Sequence, residues 1–289
     1  MIMAMSPSVA AWELGLRLRE RRELMDVTAV SAGKAIGTSQ SYISGIENGK
    51  LKINARKLAE LAAVLEFDEA ELEELQELRE AAGKRAWWSP YSAMFSSDVL
   101  RYFGFEHGAE GIRAYNAGLI SGLLQTESYA LAVMRGGGPS IRLAEANRRV
   151  EVRMKRQERL DDKEDPLRLT ALITESALRQ QVGGREVMVG QLRHLVSRIE
   201  QLPDTLDVRI IPFSADYYNA LGGSSFYIFG FASSRLPELV WQETITSTDL
   251  IDQPMRMREY NLAHDQALGY ALGRTESLGL IDQIRRELE

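Results

Sequence analysis

The chain is 289 residues long, 45% apolar and 26% charged, with a net charge of −6. That length suits two domains rather than one small helical domain. The absence of cysteine excludes disulfides, cysteine-ligated zinc, iron–sulfur clusters and thiol nucleophiles, and it fits a reducing cytoplasm, the expected localisation.

Residues 1–11, MIMAMSPSVAA, lack the basic n-region and long apolar stretch of a signal peptide and are expected to form a disordered tail. Apolar spacing then predicts a helix over 12–24, with Leu14, Leu18 and Leu24 inward and arginines outward. Short helices over 27–36 and 39–47 follow, separated by Gly37, where the first must stop. Ser39 is a good N-cap, and Asn54 and Asp68 cap helices over 55–65 and 68–82. Gly83 and Lys84 open a linker, 83–88. From residue 89 the pattern changes. A helix is predicted over 95–102, while the period over 103–116 leaves strand and helix equally open. Thr126 caps a helix to Met134, and 143–160 is a long basic helix. Strands are predicted near 167–174, 206–212, 225–231 and 239–243, with helices over 175–181, 187–202, 253–269 and 275–288. Strands near 170 and 208 with a helix between them suggest a βαβ unit, followed by a hairpin. No apolar run approaches the ~20 residues of a membrane span, so no membrane partner is expected.

Within 28–54, the helix over 40–47 keeps Ile43 and Ile46 on one face and leaves Gln40, Ser41, Ser44 and Gly45 on the other. A short helix with a small, hydrogen-bonding outer face suits the major groove of DNA. The runs Ser39-Gln40-Ser41-Tyr42-Ile43-Ser44 and Ile46-Glu47-Asn48-Gly49-Lys50 resemble the helix-turn-helix of the XRE (lambda/434 repressor-like) family. The resemblance implies a structural ion pair between Arg22 and Glu47. It places base contacts on Gln40, Ser41 and Ser44, and phosphate contacts or helix positioning on Arg22, Thr28, Ser39, Tyr42, Asn48, Lys50 and Lys52. The chain departs from the family at Ala29, where glutamine is usual, at Ala32-Gly33, where Leu-Ala is usual, and at Gly45, where a long polar residue is common. Its reading face is therefore lean.

The negative net charge does not oppose this, because attraction to DNA is local. Arg17, Arg19, Arg21, Arg22, Lys34, Lys50, Lys52, Arg56 and Lys57 all fall in the helix-turn-helix region, and the acid is concentrated just beyond, over 68–80.

The second region carries Gly122-Leu123-Leu124-Gln125-Thr126-Glu127-Ser128-Tyr129-Ala130, Arg153 with Arg156-Gln157, Glu175-Ser176-Ala177-Leu178-Arg179, Gln191-Leu192 and Val208-Arg209-Ile210-Ile211-Pro212, in that order. It resembles the C-terminal domain of unknown function found behind the helix-turn-helix of actinobacterial antitoxin-like regulators. Ser121 stands where that family usually has proline. The resemblance implies a transcription factor, often encoded beside a small partner protein.

No enzyme motif competes with this. His107, His194 and His264 are far apart, so no metal site is expected, and no cofactor is. Gly136-Gly137-Gly138 follows a helix rather than a strand and reads as an exit loop, not a phosphate cradle. Ser224-Ser225 lacks the G-x-S-x-G context. Glu175 and Glu243 are the one pair of carboxylates worth testing as catalytic. The basic run over 148–159 reads as a solvated face before a second DNA surface. Trp87, Trp88 and Tyr91 are assigned to the second domain's aromatics, and Tyr217, Tyr218 and Asn219 are candidates for a small-molecule pocket.

The expected architecture is an all-α, lambda-repressor-like helix-turn-helix domain over 12–82, then a larger α/β (α+β) domain with a small central sheet over 89–289. The expected function is a sequence-specific DNA-binding transcriptional regulator, not an enzyme. It would act on double-stranded DNA as a homodimer, with the second domain pairing subunits or sensing a small-molecule effector or partner. The rival is an antitoxin-like interaction protein that mainly binds a small neighbouring-gene protein.

Overall fold

The computed structural model describes residues 6–136, 143–244 and 247–289, which form two compact units, 1–108 and 109–289. The first unit is all helical: α1 (Pro7–Leu24), α2 (Ala29–Ala35), α3 (Gln40–Glu47), α4 (Ala55–Val64), α5 (Glu69–Gly83) and α6 (Ser97–Gly108), with a 3-10 turn at Ser89–Met94. Thr28, Ser39, Asn54 and Asp68 each accept a hydrogen bond from the first turn of the helix they precede. Four helices end alike. The residue after the cap is left-handed (Asp26, Gly37, Gly49, Glu66), and the next N–H bonds five residues back, as in Thr38 to Gly33 and Lys50 to Gly45. The core joins Leu14 and Leu18 of α1 to Ile43, Ile46, Leu58, Leu61, Leu75 and Leu78.

Three expectations for this unit fail. Residues 7–11 are not a tail. Ser6 caps α1, Pro7 occupies its first turn, and Val9 and Ala10 are buried. Residues 1–5 of the expected tail lie outside the described residues. Nor does the unit stop at 82: Trp87, Trp88, Phe95 and Phe103 form an aromatic group within it, and Trp12 meets Phe105 edge-on at 5.4 Å. Leu24 is 82% exposed, because α1 ends there and turns its last side chain away from the core.

The second unit contains β1 (Gly111–Asn116), α7 (Glu127–Gly136), α8 (Leu143–Gln157), β2 (Arg168–Thr174), α9 (Glu175–Arg179), α10 (Arg185–Gln201), β3 (Leu206–Ile211), β4 (Phe226–Gly230), β5 (Leu239–Glu243), β6 (Thr248–Ile251), α11 (Pro254–Tyr270) and α12 (Arg274–Leu288). The ambiguous stretch 103–116 divides into the end of α6 and then β1. Six strands form one mixed sheet in the order β3-β2-β1-β4-β5-β6. β1, β2 and β3 run parallel, and β4, β5 and β6 continue as an antiparallel meander. The α+β layout is thus present, and the sheet is larger than expected because β1 and β6 join it. The parallel half reads as apolar runs, as a sheet buried on both faces should: Leu169, Ala171, Leu172 and Ile173 of β2 are all buried.

Candidate nucleic-acid interface

The outer face of α3 carries Gln40 and Ser41, both exposed, and half-buried Ser44. Ser39 Oγ accepts the Tyr42 N–H at 3.2 Å and sits 2.8 Å from Ser41 Oγ, so the Ser41 hydroxyl shares its hydrogen bond with the cap. Beneath the helix, Ile43 and Ile46 hold it to the core. Arg22 makes a two-pronged pair with Glu47, Nε–Oε1 at 2.6 Å and Nη2–Oε2 at 3.0 Å, and donates from Nη1 to Val27 O at 3.0 Å. Glu47 is 6% exposed, and the pair raises the Arg22 pKa, chiefly through that hydrogen bond. Arg22 therefore ties the end of α1 to α3 and to the turn before α2.

The loop after α3 is fixed at both ends. Gly45 O accepts the N–H groups of Lys50 (2.8 Å) and Leu51 (3.0 Å), and Asn48 Nδ2 donates to Ser44 O at 2.6 Å. Tyr42 Oη donates to Lys52 O at 3.2 Å, and Lys57 Nζ lies 5.0 Å from the Tyr42 ring centre. Lys50 and Lys52 project into solvent on either side of Leu51, and Thr28 is an exposed cap on α2. The two glycines that make this helix pair lean are crowded differently, Gly33 by backbone and Gly45 by a side chain. A Cβ on Gly33 would come 3.0 Å from Thr38 O, and one on Gly45 would come 2.5 Å from Leu51 Cδ1. Sequence reasoning passed over Leu51, although a leucine between two lysines in a polar loop was the available signal.

Two of the arginines counted toward a basic surface serve another purpose. Arg17 pairs with Glu74 at 2.8 Å and Arg21 with Glu71, so α1 neutralises part of the acidic helix α5.

In the second unit the 122–125 turn forms a polar knot. Gln191, fully buried on α10, accepts the Thr126 N–H and donates to Leu124 O, both at 2.7 Å. Gln157 donates to Gly122 O at 2.9 Å and Gln125 O at 2.8 Å, and Arg153 to Gln125 Oε1 at 2.6 Å. Arg159 is buried and donates to Ala109 O at 3.2 Å. The basic run is therefore a solvated face only in part: Arg148 is exposed, whereas Arg153, Gln157 and Arg159 are turned inward. Gln157 reaches backward to carbonyl groups of the turn and Arg153 to the Gln125 side chain.

A family model for a domain of unknown function, DUF5753, matches residues 99–283, well over half of the chain. The chain belongs to the DUF5753 family. A helix-turn-helix domain model matches residues 13–75. The chain is also similar to a protein of Sinorhizobium fredii (strain NBRC 101917 / NGR234) named as the uncharacterized HTH-type transcriptional regulator y4aM. The two are 25% identical over 104 residues, 36% of this chain and 71% of that relative. No solved structure matches.

The DUF5753 region does not gather the residues proposed as a pocket. Tyr218 is buried, with its hydroxyl 3.3 Å from that of Tyr115, while Tyr217 is exposed and the Asn219 N–H donates to Gln266 Oε1. Alternation along the chain sends Tyr217 and Tyr218 in opposite directions. Burial raises the Tyr115 pKa first, and the Tyr218 hydroxyl adds to it. Glu175 is occupied at both oxygens, by Arg179 Nε (2.6 Å) and the Phe213 N–H (2.8 Å), and Ser225 Oγ accepts the Ala117 N–H at 3.1 Å. Glu243 is exposed at the end of β5. His264 is buried, and His194 is half-buried with its pKa lowered, mainly by burial. Among the described residues no three His, Asp or Glu side chains could share a metal ion, and no helix is long and apolar enough to cross a membrane. Gly137 and Gly138 of the expected exit loop lie outside the described residues.

Proposed function

We propose that this protein is a sequence-specific DNA-binding transcriptional regulator with no catalytic role. The observation that carries the reading is α3. Its outer face presents Gln40, Ser41 and Ser44, its inner face is locked by Ile43, Ile46 and the Arg22–Glu47 pair, and exposed Lys50 and Lys52 follow at its end. Such a face offers donors and acceptors to base edges in the major groove while the lysines meet phosphates. Helix-turn-helix similarity and the regulator name of the Sinorhizobium relative support the same reading. The protein would act as a homodimer, placing two such helices about 34–36 Å apart on one side of the duplex. The DUF5753 unit would pair the subunits or respond to a partner or small effector.

Binding-site selection with the full-length protein tests this. A palindromic consensus is expected from the wild type, and Gln40→Ala should lose the sequence preference while keeping the fold and the subunit stoichiometry. Recovery of the same consensus with Gln40→Ala would remove Gln40 from the reading set, and recovery of no consensus by the wild type would refute the DNA reading.

The antitoxin-like alternative draws support from Phe213, Tyr217 and Leu221, three exposed apolar side chains within one loop. A gel shift on the protein's own upstream DNA, with and without the neighbouring gene product, separates the two. Strong binding by the protein alone favours the regulator.

A further inference from the structure

The outer face of α3 has a gap in its chemistry. Ser41, Ser44, Gly45 and Asn48 lie along it at helical spacing, and at Gly45 there is no side chain. The gap is filled from outside the helix. A Cβ built on Gly45 meets Leu51 Cδ1 at 2.5 Å and Cγ at 2.8 Å, so the isobutyl group of Leu51 lies where the glycine side chain would have been. Leu51 is fixed there by its own backbone, whose N–H bonds to Gly45 O at 3.0 Å. It nevertheless remains 46% exposed, between the exposed ammonium groups of Lys50 and Lys52.

A leucine serving only to close a helix end would have its surface covered by that end. This one keeps nearly half of its surface in water, on the same face as the polar residues of α3. Base edges in the major groove carry one apolar group, the C5 methyl of thymine, and every other feature is a hydrogen-bond donor or acceptor. We infer that Leu51 is a specificity-determining residue that reads a thymine methyl in the operator half-site, in place of the side chain that Gly45 lacks. This rests on the DNA reading above. The lysines on either side hold the phosphates, and the leucine between them is carried toward the groove wall.

The test uses the full-length protein and the site that selection returns. Each thymine is replaced in turn by deoxyuridine, which removes only the methyl group. For the wild type, one thymine per half-site should show about a fourfold loss of affinity, which is ~0.8 kcal/mol for one buried methyl at 1.36 kcal/mol per tenfold. Leu51→Ala should bind the thymine and deoxyuridine versions of that site equally. Leu51→Met, which keeps the apolar reach, should retain the sensitivity and guards against simple loosening of the loop. If every deoxyuridine effect persists in Leu51→Ala, or if the wild type is indifferent to all of them, the inference is overturned while the DNA reading stands. If selection yields no consensus at all, the DNA reading fails and this inference falls with it.

Discussion

Gly15 lies in the middle of α1, where helix propensity alone favours alanine by about 1 kcal/mol. The structure predicts the opposite sign for Gly15→Ala. A Cβ at this position would stand 2.6 Å from Glu47 O and 2.8 Å from Glu47 C, and it also crowds Ile46 O. These are backbone atoms at the end of α3, so no side chain can swing aside. Reaching ordinary contact at 3.4 Å for the nearest of these atoms, Ile46 O, requires α1 and α3 to separate by roughly 1 Å. Overpacking costs typically 1–3 kcal/mol, and with only backbone to push against the upper part of that range, about 2–3 kcal/mol, applies, which leaves a net loss of about 1–2 kcal/mol after the propensity gain. For a unit of this size that corresponds to a fall in Tm of roughly 5–10 °C. The separation also strains Arg22–Glu47, so specific DNA binding should weaken in the same variant. Thermal unfolding followed by circular dichroism reads the first effect, and a gel shift on the selected site reads the second. Gly190→Ala is the control, because it lies within α10 with nothing within 4 Å of its added carbon, and it should raise stability by about 0.5–1 kcal/mol. A Gly15→Ala protein that melts at or above the wild-type temperature refutes the close-packing argument.

Three further outcomes are expected. Gln191→Leu leaves the Thr126 N–H and Leu124 O without their partner in a buried turn, and should cost about 2–5 kcal/mol by urea unfolding; a loss below 1 kcal/mol would mean that the turn finds other partners. Ser121→Pro should stabilise by roughly 0.4–1 kcal/mol, because Ser121 already holds φ at −48° and its buried hydroxyl has no hydrogen-bond partner; destabilisation would show that the turn cannot take the ring. Burial first, then Arg113, lowers the His264 pKa, against smaller opposing effects of Asp265 and Glu238. The unfolded chain therefore takes up a proton near pH 6.5 that the folded one resists. The contribution of neutral His264 is complete above that pH and declines as pH falls from there toward the lowered folded value. His264→Phe should flatten the fall in unfolding free energy over this window, and an unchanged slope would exclude His264 as its source.

The helix-turn-helix was legible in the sequence because its determinants are local. Ser39, Asn54 and Asp68 cap helices through bonds to residues three positions on, and the turns at Gly37 and Gly49 need a left-handed residue at one fixed place. The Arg22–Glu47 pair was visible only through family resemblance, since nothing in spacing joins residues 25 apart. Ser6-Pro7 was a readable helix start and was passed over, because the apolar run around it has no contrasting face. Tertiary partners were not legible. The pairing of Arg17 and Arg21 with α5, and the turning of Arg153 and Gln157 onto the 122–125 knot, depend on how distant segments meet. The same holds for β6, a four-residue edge strand that exists because β5 offers it an open side.

The place of β1 in the sheet has a consequence for how the chain is made. It is the first strand to leave the ribosome, yet it lies between β2 and β4, with Gly111 beside Arg168 on one edge and Gly230 on the other. At 5–20 residues per second, the second neighbour emerges on the order of ten seconds after the first strand. During that interval Ile112, Ala114 and Tyr115, all buried in the finished protein, have at least one edge unclaimed. A message broken or terminated before residue 226 would leave that edge open permanently, as a template for other chains. Products truncated between the end of β1 and residue 226 should therefore be insoluble although they contain the whole helix-turn-helix, with β4 acting as the cover that β1 lacks until the chain is nearly finished.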